Sequence, residues 1–234
     1  MLTQWINPKY LDENEIAKIK ADFLKSNPYP NFALPNFFNQ NRLLKVKNEI
    51  LKEKYEKIEK DLFSLSHTKD LALSGSHSVK EFYQLLSSKE FSSLMKKLTG
   101  EKLSLKIDMQ SHSMVQGDYL LFHDDVVEGR SIAYIAYLTD LISKDGGALR
   151  LYDVKNPLNP IELIHPTYNS FACFKVSSKS LHDVEEIKSN KQRLTIGGWF
   201  YGNPSASSRR ETFSQKVSSK KEASHSLSPQ ITLK

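Results

Sequence analysis

The sequence predicts an α+β fold in which helices come first and a barrel or jelly roll of short strands follows. Three observations lead to this prediction. Apolar residues recur at helical spacing in the first hundred residues, the period changes to that of strands from residue 103 onward, and turn signals such as Gly129 and Gly146 separate the strands. A run of strands after a run of helices is typical of α+β proteins, and many short strands favour a rolled or closed sheet.

The predicted helices lie before residue 100. Asp12 is suited to cap a helix over 13–24. Residues 31–38 are expected to be extended, because a residue that precedes proline is pushed out of the helical region. Three further segments are predicted: a helix over 41–63, a loop over 64–78, and one or two helices over 79–98 that end at Gly100.

The second half of the chain has the pattern of strands. Eight are predicted, over 103–109, 119–125, 131–139, 148–152, 161–165, 170–176, 181–184 and 193–201. We therefore expect one domain over 1–202, with a helical part over about 1–100 and a β core over about 101–202. Residues 203–234 are rich in Ser and Lys and are expected to form a basic, flexible tail.

Composition indicates a soluble globular protein. The chain has 234 residues, of which 39% are hydrophobic and 26% charged. No apolar run reaches transmembrane length, no signal peptide is evident, and Cys173 is the only cysteine, expected as a small core residue. These features predict a cytoplasmic location, or a nuclear one if the protein is eukaryotic, and no membrane partner.

The positive charge is concentrated at the C-terminal end. The tail beyond Pro204 carries +4 of the net +6, so the folded part is left near +2. The tail could contact an acidic partner such as RNA, but a solvated end is the favoured interpretation. No direct nucleic-acid binding is therefore predicted, and the oligomeric state is left open.

Four residues form the pattern that carries chemistry. His123 and Asp125 are two residues apart, so in a β-strand their side chains point to the same side. An imidazole and a carboxylate on one face are two of the three ligands of a facial iron(II) site, and His182 on a later strand can supply the third. Arg193 would bring a planar guanidinium that suits a dicarboxylic co-substrate. A surface salt bridge would also explain Arg193, but an arginine that opens an apolar strand favours a ligand.

Other residues compete for these roles. His123 and Asp125 could form a structural ion pair instead of a metal site. Asp124 could replace Asp125, although it would face the other side of the strand. His165 could replace His182, although it is much further from Arg193 along the chain and lies at a strand-to-turn junction. The order His-x-Asp, His, Arg makes an oxygenase the leading hypothesis.

Four stretches carry motifs of a known family. Residues 119–125 read YLLFHDD, 129–138 read GRSIAYIAYL, 146–152 read GGALRLY and 193–202 read RLTIGGWFYG. Together they resemble the 2-oxoglutarate- and iron(II)-dependent dioxygenases of the prolyl-hydroxylase type, and within that group the ribosomal prolyl 3-hydroxylases. The resemblance covers about 100–202 well and the helical part more loosely.

The resemblance implies a double-stranded β-helix, that is, a jelly-roll or cupin-like core with supporting N-terminal helices. It assigns His123, Asp125 and His182 to Fe(II) as the catalytic centre, with 2-oxoglutarate and O₂ as co-substrates and ascorbate as a supportive reductant. The implied function is hydroxylation of a prolyl residue in a protein, with decarboxylation of 2-oxoglutarate to succinate; a small-subunit ribosomal protein is the expected substrate. The alternatives are a hydroxylase of a free amino acid or other small molecule, and a catalytically silent barrel that binds a ribosomal or RNA-associated partner.

The resemblance also implies a co-substrate pocket. It assigns Arg193 to the distal carboxylate of 2-oxoglutarate, Tyr137 as a hydrogen-bond donor to the same molecule, and Thr195 as a second hydroxyl. A role in the barrel core is the alternative for Tyr137, and Trp199 is expected in the core. Met114 stands where close relatives tend to have a tyrosine, so the hydrogen bonding of the pocket is expected to differ there.

Overall fold

The computed structural model describes residues 1–202. The predicted tail over 203–234 therefore lies outside the described residues. Within residues 1–202 the α-helices are α1 (Leu2–Trp5), α2 (Glu13–Lys25), α3 (Gln40–Ile50), α4 (His77–Leu86) and α5 (Lys89–Thr99). None of the helices in this part of the chain is long and apolar enough to cross a membrane.

The same part of the chain contains twelve strands, of which the first three lie between helices and the other nine follow α5. They are β1 (Asn31–Leu34), β2 (Tyr55–Lys60), β3 (Phe63–Thr68), β4 (Leu103–Ile107), β5 (Gln110–Met114), β6 (Tyr119–His123), β7 (Arg130–Tyr137), β8 (Leu149–Leu151), β9 (Glu162–Ile164), β10 (Phe171–Lys175), β11 (His182–Val184) and β12 (Arg193–Gly202). All pairings are antiparallel, and the order across the sheet is β1-β10-β7-β12-β5-β3-β6-β11-β8-β9, with β2 on β3 and β4 on β12. The sheet rolls into a nearly closed barrel, which confirms the double-stranded β-helix.

The two faces of the rolled sheet enclose different cores. On β10, Phe171 and Cys173 pack outward against the helices, while Ala172 and Phe174 face the inside of the roll. This alternation follows from the two-residue period of a strand. Helices α2 to α5 cover the outer face with a cluster of aromatic and aliphatic side chains, in which Phe37 stacks on Phe171 with ring centroids 4.7 Å apart. Cys173 is buried, as predicted.

Several sequence predictions are confirmed. Asp12 caps α2 by accepting hydrogen bonds from the backbone of Asn14 and Glu15. The segment over 79–98 forms two helices, and α5 ends at Gly100, whose φ of 83° is in the left-handed region. The eight predicted strands are all present, most of them one or two residues shorter than predicted.

The predicted helix over 41–63 is wrong beyond Ile50. Residues 55–68 form a β2–β3 hairpin instead, so the predicted loop over 64–78 is also wrong at its start. β2 is an edge strand with four exposed charged residues, and its two half-buried side chains, Tyr55 and Ile58, are three residues apart. That spacing imitates a helix, because charged edge strands lack the apolar alternation of buried ones. β5, which is mostly polar, was not predicted.

Candidate metal centre and its pocket

Three predicted ligands lie together at one end of the roll. His123 is the last residue of β6 and His182 the first of β11, and the two residues are direct partners across the pair of strands. Their ring centroids are 4.0 Å apart. Asp125 completes the group, with its carboxylate oxygens 3.5 Å from His123 Nε2 and 3.4 Å from His182 Nε2. One ligand atom from each residue lies within 4.8 Å of the others, as a metal ion requires.

A turn after β6, and not the alternation of side chains along a strand, places Asp125 beside His123. β6 ends at His123, and Asp125 has a left-handed φ of 61°. Asp124 accepts a hydrogen bond from the backbone of Val126 at 3.1 Å, and Ser180 Oγ donates to the Asp124 carbonyl at 2.8 Å. The chain therefore turns sharply after the strand and is held to the segment before β11. The side-by-side placement was predicted, but the stated reason was wrong.

Each histidine is fixed in the tautomer that a metal needs. Nδ1 of His123 lies 2.8 Å from the Leu121 carbonyl, and Nδ1 of His182 lies 2.7 Å from the Ser180 carbonyl. A carbonyl oxygen only accepts, so Nδ1 carries the proton and donates in both residues. In the neutral imidazoles the lone pair then resides on Nε2, which faces Asp125. Such a hydrogen bond from the second ring nitrogen is typical of metal-ligating histidines.

The charges of the group influence one another strongly. Burial lowers the pKa of His123 to about 4, and the neighbouring His182 adds to this effect. Burial opposes the charge of His182 as well, but the Asp125 carboxylate outweighs it and raises the pKa of His182. Burial would raise the pKa of Asp125, yet the two imidazoles hold it well below its usual range. Asp125 is therefore a carboxylate at neutral pH.

Hydrogen bonds also fix Asp183, the residue that follows His182 on β11. Asp183 is 2% exposed and accepts two hydrogen bonds of 2.7 Å from the Arg150 guanidinium. The Tyr152 hydroxyl adds a third contact at 3.2 Å. This two-pronged pairing joins β11 to β8 on the side opposite β6. The ring of Phe174, 4.6 Å from that of His182, restricts the imidazole from within the roll.

Arg193 and Tyr137 lie deeper in the same roll. Arg193 is 3% exposed and Tyr137 is fully buried, with the guanidinium carbon 5.3 Å from the centre of the phenol ring. Arg193 Nε donates to the carbonyl of Gly147 at 3.0 Å, and its Nη1 lies 3.8 Å from the Met114 sulfur. Among residues 1–202, neither Arg193 Nη2 nor the Tyr137 hydroxyl has a partner at normal hydrogen-bond geometry, and the two groups interact with each other only electrostatically.

Such orphaned atoms are costly, because a buried donor without a partner loses its hydration and gains nothing. Burial raises the pKa of the Tyr137 hydroxyl, which therefore stays protonated. The charged fork lies beside the phenol inside the roll, and an anionic oxygen pair that reached both would satisfy them. The donor set fits a carboxylate.

Gly147 makes the position of Arg193 possible. Its φ of 77° is in the left-handed region, and a Cβ there would lie 2.7 Å from Ile187 Cδ1 and 3.3 Å from Arg193 Cδ. Only glycine allows the backbone to approach the arginine so closely. The predicted glycine turn thus serves the pocket, since the carbonyl of Gly147 orients the guanidinium.

A cavity of about 330 Å³ joins the two ends of the site. Its lining includes the three clustered residues near the metal position and Arg193 at the other end. Thr195 is 2% exposed and lies on β12 directly between Tyr137 on β7 and His112 on β5. The structure therefore places Thr195 in the wall of the cavity, and no hydrogen bond joins its hydroxyl to another of the described residues.

The competing residues lie elsewhere. The Asp124 carboxylate caps its own turn, as described above, and does not join the group. His165 Nε2 is 3.5 Å from Ser143 Oγ, outside the cluster. Trp199, which was expected in the core, lines the cavity, and the Arg130 guanidinium lies 3.3 Å from its ring. His112 also lines the cavity and was not singled out from the sequence, because a lone histidine in a polar strand gives no signal.

Comparison with known proteins places this geometry in context. Residues 109–201 match the model of the 2OG-Fe(II) oxygenase superfamily. The chain is 33% identical over 189 residues to prolyl 3-hydroxylase OGFOD1 of Mus musculus, a match that covers 78% of the chain and 34% of that protein. It is 34% identical over 200 residues to prolyl 3,4-dihydroxylase OGFOD1 of Ostreococcus tauri, which covers 75% of the chain and 38% of that protein. The chain thus spans little more than a third of the length of these relatives.

Solved structures share the fold. A prolyl hydroxylase from Trichoplax adhaerens, solved with a peptide of the hypoxia inducible factor oxygen degradation domain, superimposes with a TM-score of 0.66 at 14% identity. The match covers 84% of this chain and 93% of that one. Likeness at this level of identity supports the double-stranded β-helix and carries no information on the substrate.

Proposed function

Since the chain belongs to the 2OG-Fe(II) oxygenase superfamily, we propose that it is an Fe(II)- and 2-oxoglutarate-dependent dioxygenase that hydroxylates a prolyl residue in a protein. One observation carries the proposal. A single cavity is lined by the His-Asp-His group and, at its other end, by a buried guanidinium, Arg193, that lies beside the phenol of Tyr137. Two such ends suit a metal and a dicarboxylic acid that binds it.

His123, Asp125 and His182 hold the iron in this proposal. Two imidazoles and one carboxylate on one side of the ion leave positions open for other ligands. When bound, Fe(II) and 2-oxoglutarate supply the oxidising chemistry: with O₂, the 2-oxo acid loses CO₂ to give succinate, and one oxygen atom enters a substrate C–H bond. The protein provides two histidines in fixed tautomers and the ionised carboxylate of Asp125, so the ligands need little rearrangement when the metal binds.

Arg193 and Tyr137 bind the distal carboxylate of 2-oxoglutarate. The fork of the guanidinium and the protonated phenol each have a free donor, and both are buried, where charge-assisted hydrogen bonds are strong. Thr195, the partner of Tyr137 across β12 and β7, adds a hydroxyl to the wall of the cavity. Apolar side chains such as Leu149 and Phe174 form much of the wall around these residues.

A groove beside the metal supports a macromolecular substrate. It has a volume of about 250 Å³, is largely apolar, and shares His123 and Asp125 with the main cavity. Phe122 and Val127, which line it, are 43% and 45% exposed. A free amino acid would leave this groove empty, whereas residues that flank a target proline would cover it.

The choice of a prolyl substrate follows the relatives, which are named as prolyl hydroxylases. A small-subunit ribosomal protein is the substrate we propose, from the resemblance of the motifs to those of the ribosomal prolyl 3-hydroxylases. The cytoplasmic location, the single domain over 1–202 and the supportive role of ascorbate stay predictions.

The cofactor site is tested by the absorbance of the purified protein without oxygen, first with Fe(II) and then with 2-oxoglutarate. We expect a visible charge-transfer band that requires both additions. His182→Ala should abolish iron binding and the band, whereas His165→Ala, a matched histidine outside the cluster, should keep both. The proposal fails if the wild-type protein gives no band, or if His182→Ala retains it.

The substrate class is tested by mass spectrometry of small-subunit ribosomal proteins after incubation with the enzyme, Fe(II), 2-oxoglutarate and O₂. We expect one protein to gain an oxygen atom at a prolyl residue, and a variant substrate with alanine at that position to gain none. Free proline serves as the competing substrate. Hydroxylation of free proline together with unchanged ribosomal proteins would favour the small-molecule enzyme.

A further inference from the structure

His112 is a polar side chain in the cavity to which the proposed function assigns no role. It lies in the middle of β5, between His67 on β3 and Thr195 on β12, in direct register with both. Its ring lines the same cavity as the metal cluster, and its Nδ1 would be 3.9 Å from a Cβ built on Gly197. The imidazole therefore faces the wall that β12 forms.

The position of His112 along the cavity is between the two ends of the site. Successive inward-facing residues on β12 are at positions i and i+2, so Thr195 is the next inward residue after Arg193 in the direction of Trp199. Trp199 contacts Asp125, so this direction leads towards the metal cluster. His112 pairs with Thr195 and shares that step. Both Arg193 and Asp125 are near enough to influence its charge.

His112 is also free to bind a ligand. Its neighbours on the same wall are engaged: Gln110 Nε2 lies 3.5 Å from His67 Nδ1 and donates to the Thr68 carbonyl at 3.3 Å. No hydrogen bond joins the His112 ring to any other group in the part of the chain that the structure describes. Met114, the next inward residue on β5, has only a thioether and cannot donate.

The protonation state leaves a donor available. Burial, with the charge of Arg193, lowers the pKa of His112 to about 4, so the ring is neutral at physiological pH. A neutral imidazole has one N–H donor and one acceptor nitrogen. His112 is half-buried and lines the cavity, so a ligand that enters the cavity can accept a hydrogen bond from this donor.

We infer that His112 donates a hydrogen bond to the keto-acid carboxylate of 2-oxoglutarate, the end of the co-substrate nearest the metal. This inference rests on the proposed function. Arg193 and Tyr137, which contact each other, occupy the distal carboxylate. The His112 ring extends toward Gly197, the next inward position on β12 in the direction of Trp199, so this donor meets the other end. His112 is thus a binding residue that positions the 2-oxo acid against the iron ligands.

The test is an anaerobic titration of the Fe(II)-loaded full chain with 2-oxoglutarate, followed by the visible band. His112→Ala should raise the dissociation constant of 2-oxoglutarate about tenfold or more, the usual effect of losing a hydrogen bond to a charged group. His112→Asn, which keeps an N–H donor, should recover part of the affinity and provides a second variant should the alanine protein fold poorly. His67→Ala is the matched control, since its imidazole pairs with Gln110, and should stay within about twofold of wild type.

A second ligand identifies which carboxylate is contacted. 2-Oxobutyrate has the keto acid but lacks the distal carboxylate, so His112→Ala should weaken it by the same factor as 2-oxoglutarate, whereas Arg193→Ala should leave it unchanged. Iron affinity, measured separately, should not change in His112→Ala. An unchanged affinity for 2-oxoglutarate in that variant overturns the inference while the proposed function stands. A loss for 2-oxoglutarate without a loss for 2-oxobutyrate overturns the assignment to the keto acid, and a wild-type protein that binds no 2-oxoglutarate overturns both proposals.

Discussion

Removing the Tyr137 hydroxyl should affect stability and binding in opposite ways. In the free protein this hydroxyl is buried and, among the described residues, unpaired. A buried polar group without a partner costs about 1–3 kcal/mol, and Tyr137→Phe removes that cost at the expense of a void the size of one oxygen atom. We therefore expect the free energy of unfolding of the ligand-free protein to be unchanged or to rise by about 1 kcal/mol.

Binding of 2-oxoglutarate should weaken in the same variant. A hydrogen bond from a neutral donor to a carboxylate contributes about 1.5–3 kcal/mol, which corresponds to a dissociation constant about 10- to 100-fold higher. Urea denaturation of the metal-free protein measures the first effect, and anaerobic titration of the Fe(II)-loaded protein measures the second. Iron affinity should stay the same, because Tyr137 lies beside Arg193 and is not part of the metal cluster.

Tyr134→Phe is the matched control on the same strand. Tyr134 is also buried, but its hydroxyl donates to the Asp108 carbonyl at 2.9 Å and its ring packs in the outer core. That variant should lose about 1–2 kcal/mol of stability and keep the affinity for 2-oxoglutarate. The reasoning is refuted if Tyr137→Phe is the variant that loses stability, or if it binds 2-oxoglutarate as tightly as wild type.

Three further changes test neighbouring parts of the site and fold. Arg193→Lys keeps the charge but loses the planar fork, so 2-oxoglutarate should bind about 100-fold more weakly in the same titration, with iron affinity unaffected. Gly147→Ala imposes a side chain at a φ of 77° and a clash with Ile187, so urea denaturation should show a loss of about 2 kcal/mol or more. Asp118 is 3% exposed, and Lys57, Ser64 Oγ and the Val115 backbone lower its pKa against the effect of burial. A carboxyl group whose pKa is lower in the folded than in the unfolded state stabilises the fold at pH values above the unfolded-state pKa, and this stabilisation is lost as the pH falls. Asp118→Asn should therefore have a lower free energy of unfolding than wild type at pH 7. Denaturation curves should show this difference shrinking below about pH 4.

The strands that form the roll could be predicted where their side chains alternate between two apolar layers. β7 and β10 send one set of residues to the helical core and the other to the interior of the roll. Both strands have apolar residues on both faces, β10 is aromatic at Phe171 and Phe174, and Gly129 marks the turn before β7. The capped helix α2 and the glycine that ends α5 were predictable for similar local reasons.

β2 and β5 could not be predicted, for two different physical reasons. β2 is at the edge of the sheet, where charged side chains protect against pairing with other chains and remove the apolar period. β5 is in the middle of the sheet, but its sequence Gln-Ser-His-Ser-Met is polar on the face that lines the cavity. Its strand conformation depends on pairing with β12 and β3, which is long-range information.

At the proposed iron and 2-oxoglutarate positions, the backbone conformation and the hydrogen bonding differ from those usual in strands and buried cores. Asp125 adopts a left-handed conformation, which aspartate tolerates better than most residues, and the contact of Ser180 with the Asp124 carbonyl supports the turn. Tyr137 and Arg193 keep buried donors without partners, at a cost that a bound dicarboxylate would remove. Residue types alone predicted which side chains meet, because His-x-Asp, His and Arg specify a chemistry. How they meet depends on the turn at Asp125 and on unpaired donors, which local sequence patterns do not encode.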